Sequence, residues 1–334
     1  MRELNKFRWD GKAGHYEVYY LTFTDRASGV GVWIRYTMVA PLPGAGEPSA
    51  SLWLLAMDPR GDGAATFGRK ATFPVEQLRA QSQPFELRIA EAVLREDGMA
   101  GGVEDISWDL HWTPGANGYQ HVHGVLRALR AAKTILVLPG ADLSIDGTVS
   151  FAGRRLELAG ARGGQAHLWG SKHASSWAWA HCNDFRTIEG QPAPGDFVDG
   201  VSAFVPRFGR ELGPNTPVVG RIAGSDFRSI TPLRVLRNGS TFGLTEWHFE
   251  AVDGARKLIA DVKAERDQLA GVTYHDPDGE LAYCYNSETA SMRLEVYERS
   301  RGNWAHTSTL LADGCAHFEY AQRTPLPDLE LLIR

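Results

Sequence analysis

The chain has 334 residues, 43% of them hydrophobic and 22% charged, with a net charge of −5. That balance belongs to a globular chain and excludes a disordered one. The lack of a basic excess also argues against nucleic acid as a partner.

At roughly 100–200 residues per domain, the length admits two domains or one large one. The opening stretch, MRELNKFRWDGKAGHYE, lacks the apolar core of a secretion signal. No uninterrupted apolar run approaches the roughly 18 residues of a membrane helix. The expectation is therefore a cytoplasmic chain without an integral membrane segment.

Taken in order, the chain reads as strands. His15–Thr24 is rich in Tyr and Val and connects through Asp25–Gly29, a plausible hairpin loop. In 30–38, Val30, Val32, Ile34, Tyr36 and Met38 share one face; Trp33 is the apolar exception on the other. Pro74–Ala80 predicts one short helical turn. Alternation returns at Phe85/Leu87/Ile89 and at Ile106/Trp108/Leu110/Trp112. Val125–Ala132 reads equally as helix or strand. Val149 and Phe151 face Leu156 and Leu158 across a hairpin turn at Ala152-Gly153-Arg154. The second half repeats the pattern at Trp247/Phe249, Met292/Leu294/Val296 and Ala316/Phe318/Tyr320. Many short strands with frequent turns predict an all-β protein with little helix, built as barrels or a sandwich. Two antiparallel barrels of about eight strands fit the length better than one very large barrel. The loops 113–119 and 189–200 flank the expected junction, and the division is drawn at 1–164 and 165–334.

Residues 140–185 carry the functional signal. At strand period, Gln165, His167 and Trp169 share one face, and Trp177, Trp179 and His181 share another. If the two strands are paired, they line one surface with indoles, imidazoles and an amide, as a ligand site does. The opposing reading is an ordinary core in which each ring nitrogen is hydrogen-bonded.

Ser144-Ile-Asp-Gly-Thr-Val and Gly164-Gln-Ala-His-Leu-Trp-Gly170 resemble the hairpin and Gly-x-x-His-x-Trp-Gly strand of the tandem-lipocalin superfamily that contains bacterial carotenoid hydratases. Trp179-Ala-His-Cys-Asn-Asp-Phe185, Met292–Arg299 and Ala316-His-Phe-Glu-Tyr320 resemble strands of tocopherol cyclase. The resemblance spans roughly residues 140–322. It implies two lipocalin-like barrels packed together around a pocket for an apolar, isoprenoid or lipid-like molecule. By itself it implies no activity, because one fold hosts many functions.

Hydration or cyclisation of an isoprenoid alkene needs a proton donor, aromatic faces for the carbocation and control of water. A buried carboxyl can stay protonated near neutral pH. The candidates for proton transfer are His181, Asp184, Asp226 and His248. Those for the lining are Gln165, His167, Trp169, Trp177, Trp179, Asn183, Trp247, Tyr283 and Tyr285. No cofactor fingerprint occurs. His121-Val-His123 has metal-ligand spacing but no third ligand motif beside it, and Cys182, Cys284 and Cys315 are not spaced for zinc, so no metal is expected. Three functions stay open from sequence: an acid-type hydratase, cyclase or isomerase; a noncatalytic carrier or sensor; and a structural protein with filled barrels.

Overall fold

The computed structural model describes residues 2–60, 65–115, 118–128, 132–207 and 210–334. Twelve strands form the first sheet. They are β1 (His15–Asp25), β2 (Val30–Ala40), β3 (Ser49–Asp58), β4 (Ala65–Pro74), β5 (Leu78–Ser82) and β6 (Phe85–Ile89), then β7 (Ala92–Arg95), β8 (Gly98–Val103), β9 (Ile106–Trp112), β10 (Tyr119–Gln120), β11 (Thr134–Phe151) and β12 (Arg154–Gly170). Thirteen form the second. They are β13 (Ser176–Cys182), β14 (Arg186–Thr187), β15 (Phe197–Arg207), β16 (Arg210–Asn215), β17 (Val218–Ile222), β18 (Ser225–Ser229) and β19 (Gly239–Phe242), then β20 (Glu246–Asp253), β21 (Arg256–Lys263), β22 (Ala270–His275), β23 (Leu281–Ser300), β24 (Asn303–Gln322) and β25 (Leu331–Ile333). The described helices α1 (Arg2–Asn5), α2 (Gly124–Ala128) and α3 (Pro232–Arg237) are short. None is long and apolar enough to cross a membrane.

The chain is thus all-β, with two antiparallel, lipocalin-like barrel sheets, as the periodicity predicts. In the first, the order runs β4-β3-β2-β1-β12-β11-β9-β8-β7-β6-β5. A 3-10 turn at Val75–Gln77 joins the two edge strands, and Arg69 of β4 reaches Glu104 and Asp105 at the β8–β9 turn (3.1 and 3.2 Å). The ring is nearly closed, which leaves little free edge. Residues 165–170, drawn from sequence into the second half, complete β12 of the first sheet. The ambiguous stretch 125–132 contributes to α2, and residues 129–131 lie outside the described residues, as do 116–117 of the loop 113–119.

Each barrel is filled by its own inward faces. Val30, Val32, Ile34 and Tyr36 join Phe23, Trp108 and Ile145 in the first. Trp247, Phe249, Met292, Leu294 and Phe318 form the second. A third cluster, including Tyr20, Trp33 and Trp53 from one sheet and Trp177, Trp179 and Tyr274 from the other, lies where the barrels meet. Trp33 is the exception to the β2 alternation because its face is buried too, against the second barrel.

Two glycines set how closely the sheets approach. A Cβ at Gly31 of β2 would meet the backbone oxygen of Glu288 on β23 at 2.3 Å. A Cβ at Gly164 of β12 would meet the His181 ring at 2.7 Å. The first contact is with backbone, so the sheets themselves must part to relieve it. Gly31→Ala should therefore cost about 1–3 kcal/mol, the range of overpacked cores. Urea unfolding checks this, with Gly243→Ala, whose Cβ meets nothing within 4 Å, as the reference. Equal stability of the two variants would mean that the sheets do not press together at Gly31.

Candidate functional site

The two strands singled out from sequence do not pair with each other; they touch only where Gly164 meets the His181 ring. β12 pairs with β1 and β11, whereas β13 pairs with β15 and β24. Gln165, His167 and Trp169 turn into the mouth of the first barrel, away from Trp177, Trp179 and His181. There His167 stacks on Tyr19 (4.0 Å between centroids) and contacts the Leu4 carbonyl (2.5 Å) and the Glu17 carboxylate (2.9 Å). The backbone N–H groups of Arg8 and Trp9 donate to Glu17 (2.8 and 2.9 Å). Burial pushes Glu17 up, but His15, His167 and the Arg8 amide more than offset it and hold it at about 2. Trp169 carries the Arg8 guanidinium over its ring at 5.0 Å, and Gln165 reaches Asn5 at 3.4 Å. These groups fasten the N-terminal segment over the barrel end. The cavity beneath, lined by Asn5, Trp112, Leu143 and Gln165 among others, measures about 10 Å³. That is room for about one water.

Trp177, Trp179 and His181 face the first barrel, because Ala178, Ala180 and Cys182 alternate with them into the second. Cross-strand register extends this face sideways. Trp179 lies opposite Glu319 of β24, which lies opposite Asn286 of β23. One row along, Asp199 of β15 lies opposite His181, which lies opposite His317 of β24. From the first sheet, Tyr20, Thr22, Trp33, Arg35 and Gly164 close over these rows.

The second row is built of carboxylate–imidazole pairs. Asp199 lies 2.8 Å from Nε2 of His121 and 3.1 Å from Nδ1 of His181, and accepts from Trp179 Nε1 at 3.2 Å. Burial raises Asp199, but the two histidines outweigh it and hold the carboxyl below its usual range. Nδ1 of His317 lies 2.8 Å from both Glu288 and the Thr22 hydroxyl, which in turn donates to Glu288. Burial draws His317 down toward the neutral ring, against the pull of Glu288.

Glu319 behaves in the opposite way. Burial pushes it up to about 7, helped by the Glu288 charge and only partly countered by Arg35 and by Trp177, whose indole N–H donates at 3.4 Å. It lies deep between the sheets, yet the residue keeps some accessible surface. Around it stand the Trp177 and Trp179 indoles and the Arg35 guanidinium, itself 4.1 Å from the Tyr274 ring centroid.

The remaining sequence candidates disperse. Asp184 is paired with Arg26 at 2.7 Å, a strut between the two sheets. Asn183 donates to the Gly163 and Leu143 carbonyls (2.8 and 3.3 Å), also tying barrel to barrel. Asp226 is held by Tyr119, Arg228 and Arg221; burial raises it, and these bonds lower it below the usual carboxylate range. It is an ionised surface group, unsuited to giving a proton. His248 is exposed and pairs with Asp261 on the outside of the second barrel (2.8 Å). Trp247 fills the second barrel, donating to Ser240. Tyr285 is buried with its hydroxyl on the Leu326 amide, and Tyr283 is half-buried beside it on β23. His121 turns to Asp199, while His123 accepts from the Val125 amide at 3.4 Å. Among the described residues no group of three or more His, Cys, Asp and Glu is placed to hold a metal.

Sequence reasoning missed Glu319, His317, Glu288 and Asp199. The signal lies in Ala316-His-Phe-Glu-Tyr320, where His317 and Glu319 alternate with the apolar face.

No family model matches the chain. It is 29% identical over 324 residues to an uncharacterized protein of two Mycobacterium tuberculosis strains, covering 95% of this chain and 89% of that one. Among solved structures it is similar to an AttH-like protein from Nitrosomonas europaea (TM-score 0.54, 11% identity, 93% of each chain). It is also similar to kievitone hydratase from Nectria haematococca (TM-score 0.53, 9% identity, 96% of this chain and 92% of that one). At these identities the likeness is one of fold.

The charge state of Glu319 is open to a stability measurement. Below pH 4.5 its carboxyl is protonated in both folded and unfolded chains. Between 4.5 and about 7 only the unfolded chain ionises it, so its contribution to stability falls as pH rises. Glu319→Gln removes that penalty. Relative to wild type it should be about 2–3 kcal/mol more favourable at pH 8 than at pH 4.5, at 1.36 kcal/mol per unit discounted for partial exposure. Urea unfolding at both pH values checks this, and a pH-independent difference would mean that Glu319 titrates normally.

Proposed function

We propose that this chain binds a small, largely apolar, unsaturated molecule where its two barrels meet, and that Glu319 protonates it. The observation that carries the reading is a carboxyl held at about 7 by burial between the two sheets, beside two indoles. A general acid works best with its pKa near the operating pH. Indole faces stabilise a developing carbocation, and a closed junction controls where water reaches it. The barrel interiors are packed, so the junction is the better place for a ligand than the barrel pocket expected from sequence.

The reaction class is hydration, cyclisation or isomerisation of a carbon–carbon double bond. In hydration the Glu319 proton forms the new C–H bond as the π bond breaks. Water then forms the C–O bond at the cationic carbon and loses a proton, which returns to Glu319. The structural likeness to kievitone hydratase supports this class, and the sequence resemblance to carotenoid hydratases and tocopherol cyclase supports an isoprenoid substrate. Kievitone itself belongs in the substrate test as a second scaffold.

The test uses geraniol, farnesol, geranylgeraniol and kievitone in deuterated, oxygen-18-enriched water, read by mass spectrometry. Wild type should bind at least one of them and add label to it. Glu319→Gln should keep its affinity within about threefold and lose turnover by at least 100-fold, the lower end for general acid catalysis. Wild type that binds without labelling is a carrier. Wild type that does neither removes the ligand site from the junction.

A further inference from the structure

We infer that the open cavity where β25 lies against β4 is an oxyanion site, in which Lys70 holds a phosphate group. The site is separate from Glu319 and does not rest on the reading above.

The cavity measures about 450 Å³, and its lining includes Arg69, Lys70, Thr72, Glu104, Leu332 and Arg334. Alternation along β4 builds one wall. Phe67, Ala71 and Phe73 turn into the first barrel, so Gly68, Lys70 and Thr72 turn outward. Gly68 lets β25 come close: a Cβ there would meet Ile333 at 3.0 Å and Leu332 at 3.4 Å. Residues 332–334 are therefore the facing wall.

Positive charge gathers behind the first wall. Register places Arg35 of β2, Trp53 of β3 and Lys70 of β4 side by side in one row. The Arg35 guanidinium lies 5.1 Å and the Lys70 ammonium 4.4 Å from the Trp53 ring centroid. Arg35 is only 5% exposed, and its charge acts on Glu319. Lys70 is half-buried, with one hydrogen bond, to the main-chain oxygen of Arg334 at 3.0 Å. Among the described residues no side-chain carboxylate acts on it. Burial and the Arg35 charge hold its ammonium down at about 8. From the second barrel comes His275, at the end of β22, whose ring is kept below its ordinary value by burial and by the Lys70 charge. Glu104, the acid of the cavity lining, is tied to Arg69 at 3.1 Å. An ammonium withdrawn from water beside a buried guanidinium is costly until an anion pairs with it. The cavity gives that anion a place directly against Lys70. Lysine suits phosphate as a point charge, and the exposed Thr72 hydroxyl and the Arg334 side chain border the same space.

Binding should follow the protonation of Lys70. The charged and titratable groups around it are Arg35 from β2, Arg69 on its own strand, Glu104 from the β8–β9 turn, Arg334, and His275 from β22. Arginine and glutamate do not titrate between pH 7 and 9.5, and His275 is already neutral there. Sulfate, whose charge is constant over this range, is the probe for the pH profile on the full-length chain, read by calorimetry. Its affinity should be about tenfold weaker at pH 9 than at pH 7, one unit above the Lys70 value. Lys70→Arg should bind at pH 7 within about threefold of wild type and lose this pH dependence, because guanidinium stays charged. Lys70→Met should bind at least about tenfold more weakly at pH 7, the ratio that one unit of Lys70 shift implies. The nitrogen-15 signal of the Lys70 ammonium, identified with Lys70→Arg, gives a second readout: it should titrate near 8 without sulfate and at least one unit higher in saturating sulfate. An unmoved titration, or Lys70→Met that binds as well as wild type, overturns the site and leaves the Arg334 main-chain oxygen as the only partner the ammonium needs. Inorganic phosphate and farnesyl phosphate at pH 7.5 then separate the sources. Equal affinities, both lost in Lys70→Met, assign the site to a free anion. A preference for the ester that Lys70→Met removes assigns it to the head group of an apolar ligand. Binding of both that survives Lys70→Met overturns the site.

Discussion

The arrangement depends on burying a row of ionisable groups between two sheets that would otherwise pack as apolar faces. Taking a carboxylate out of water is costly unless it is paired and fully hydrogen-bonded. The junction meets that requirement unevenly. Asp199 has two imidazoles and an indole N–H around it, and Glu288 has His317 and Thr22. Glu319 has one long bond from Trp177, a weak thiol donor in Cys284 and a guanidinium that acts only through its charge. The same interface therefore holds one carboxyl below its ordinary range and another near 7. The difference comes from the number of donors within reach, since both are buried deep between the sheets.

That unevenness depends on how closely the barrels approach. Gly31 brings the backbone at Glu288 against β2, and Gly164 brings the His181 ring against β12. The Thr22 hydroxyl meets Glu288 and His317, and the Thr24 hydroxyl donates to the Glu288 carbonyl at 2.9 Å. Asn183, and the ion pair of Asp184 with Arg26, clamp one side of the contact. At the linker between β12 and β13, Asp276 gathers the His173 ring at 2.6 Å and Arg323 at 2.7 Å. Burial raises Asp276, but those partners hold it at about 2. The barrels are thus joined at several fixed points, and the groups between them are held in register.

Much of this architecture was legible in the sequence because alternation reports burial on one face directly. The β9 run from Ile106 to Trp112 buries every second residue, and the apolar faces of β2, β20, β23 and β24 fall inside their barrels as the pattern says. What alternation does not report is which barrel a face belongs to. His167 and His181 both sit on buried strand faces with aromatic neighbours, and their local patterns are alike. One points into the first barrel and the other out of the second, because β12 and β13 pair with different strands. That distinction is set by contacts more than a hundred residues apart in the chain. The same reason hides Glu319: on an isolated strand, a glutamate opposite an apolar face reads as solvent-exposed. Here the outer face of one barrel is the buried face of a second interface.

The packed barrels and the polar junction are two consequences of one duplication of architecture. A single barrel of this kind has an apolar inside and an outside that must be wet. Pairing two of them creates a second interior from two outer faces, and side chains suited to a surface become buried there. Tyr20, Arg35, Trp179, His181, His317 and Glu319 all occupy such positions. Inside a barrel, a carboxyl placed at one of these sites would have an aliphatic shell and no partner. Between barrels it has strands from both sheets within reach, each able to supply a donor, a ring face or a cation. A fold that stacks barrels therefore has two apolar interiors and a third, polar interior at the seam between them. A substitution at Glu319 changes the electrostatics of that seam without emptying either core.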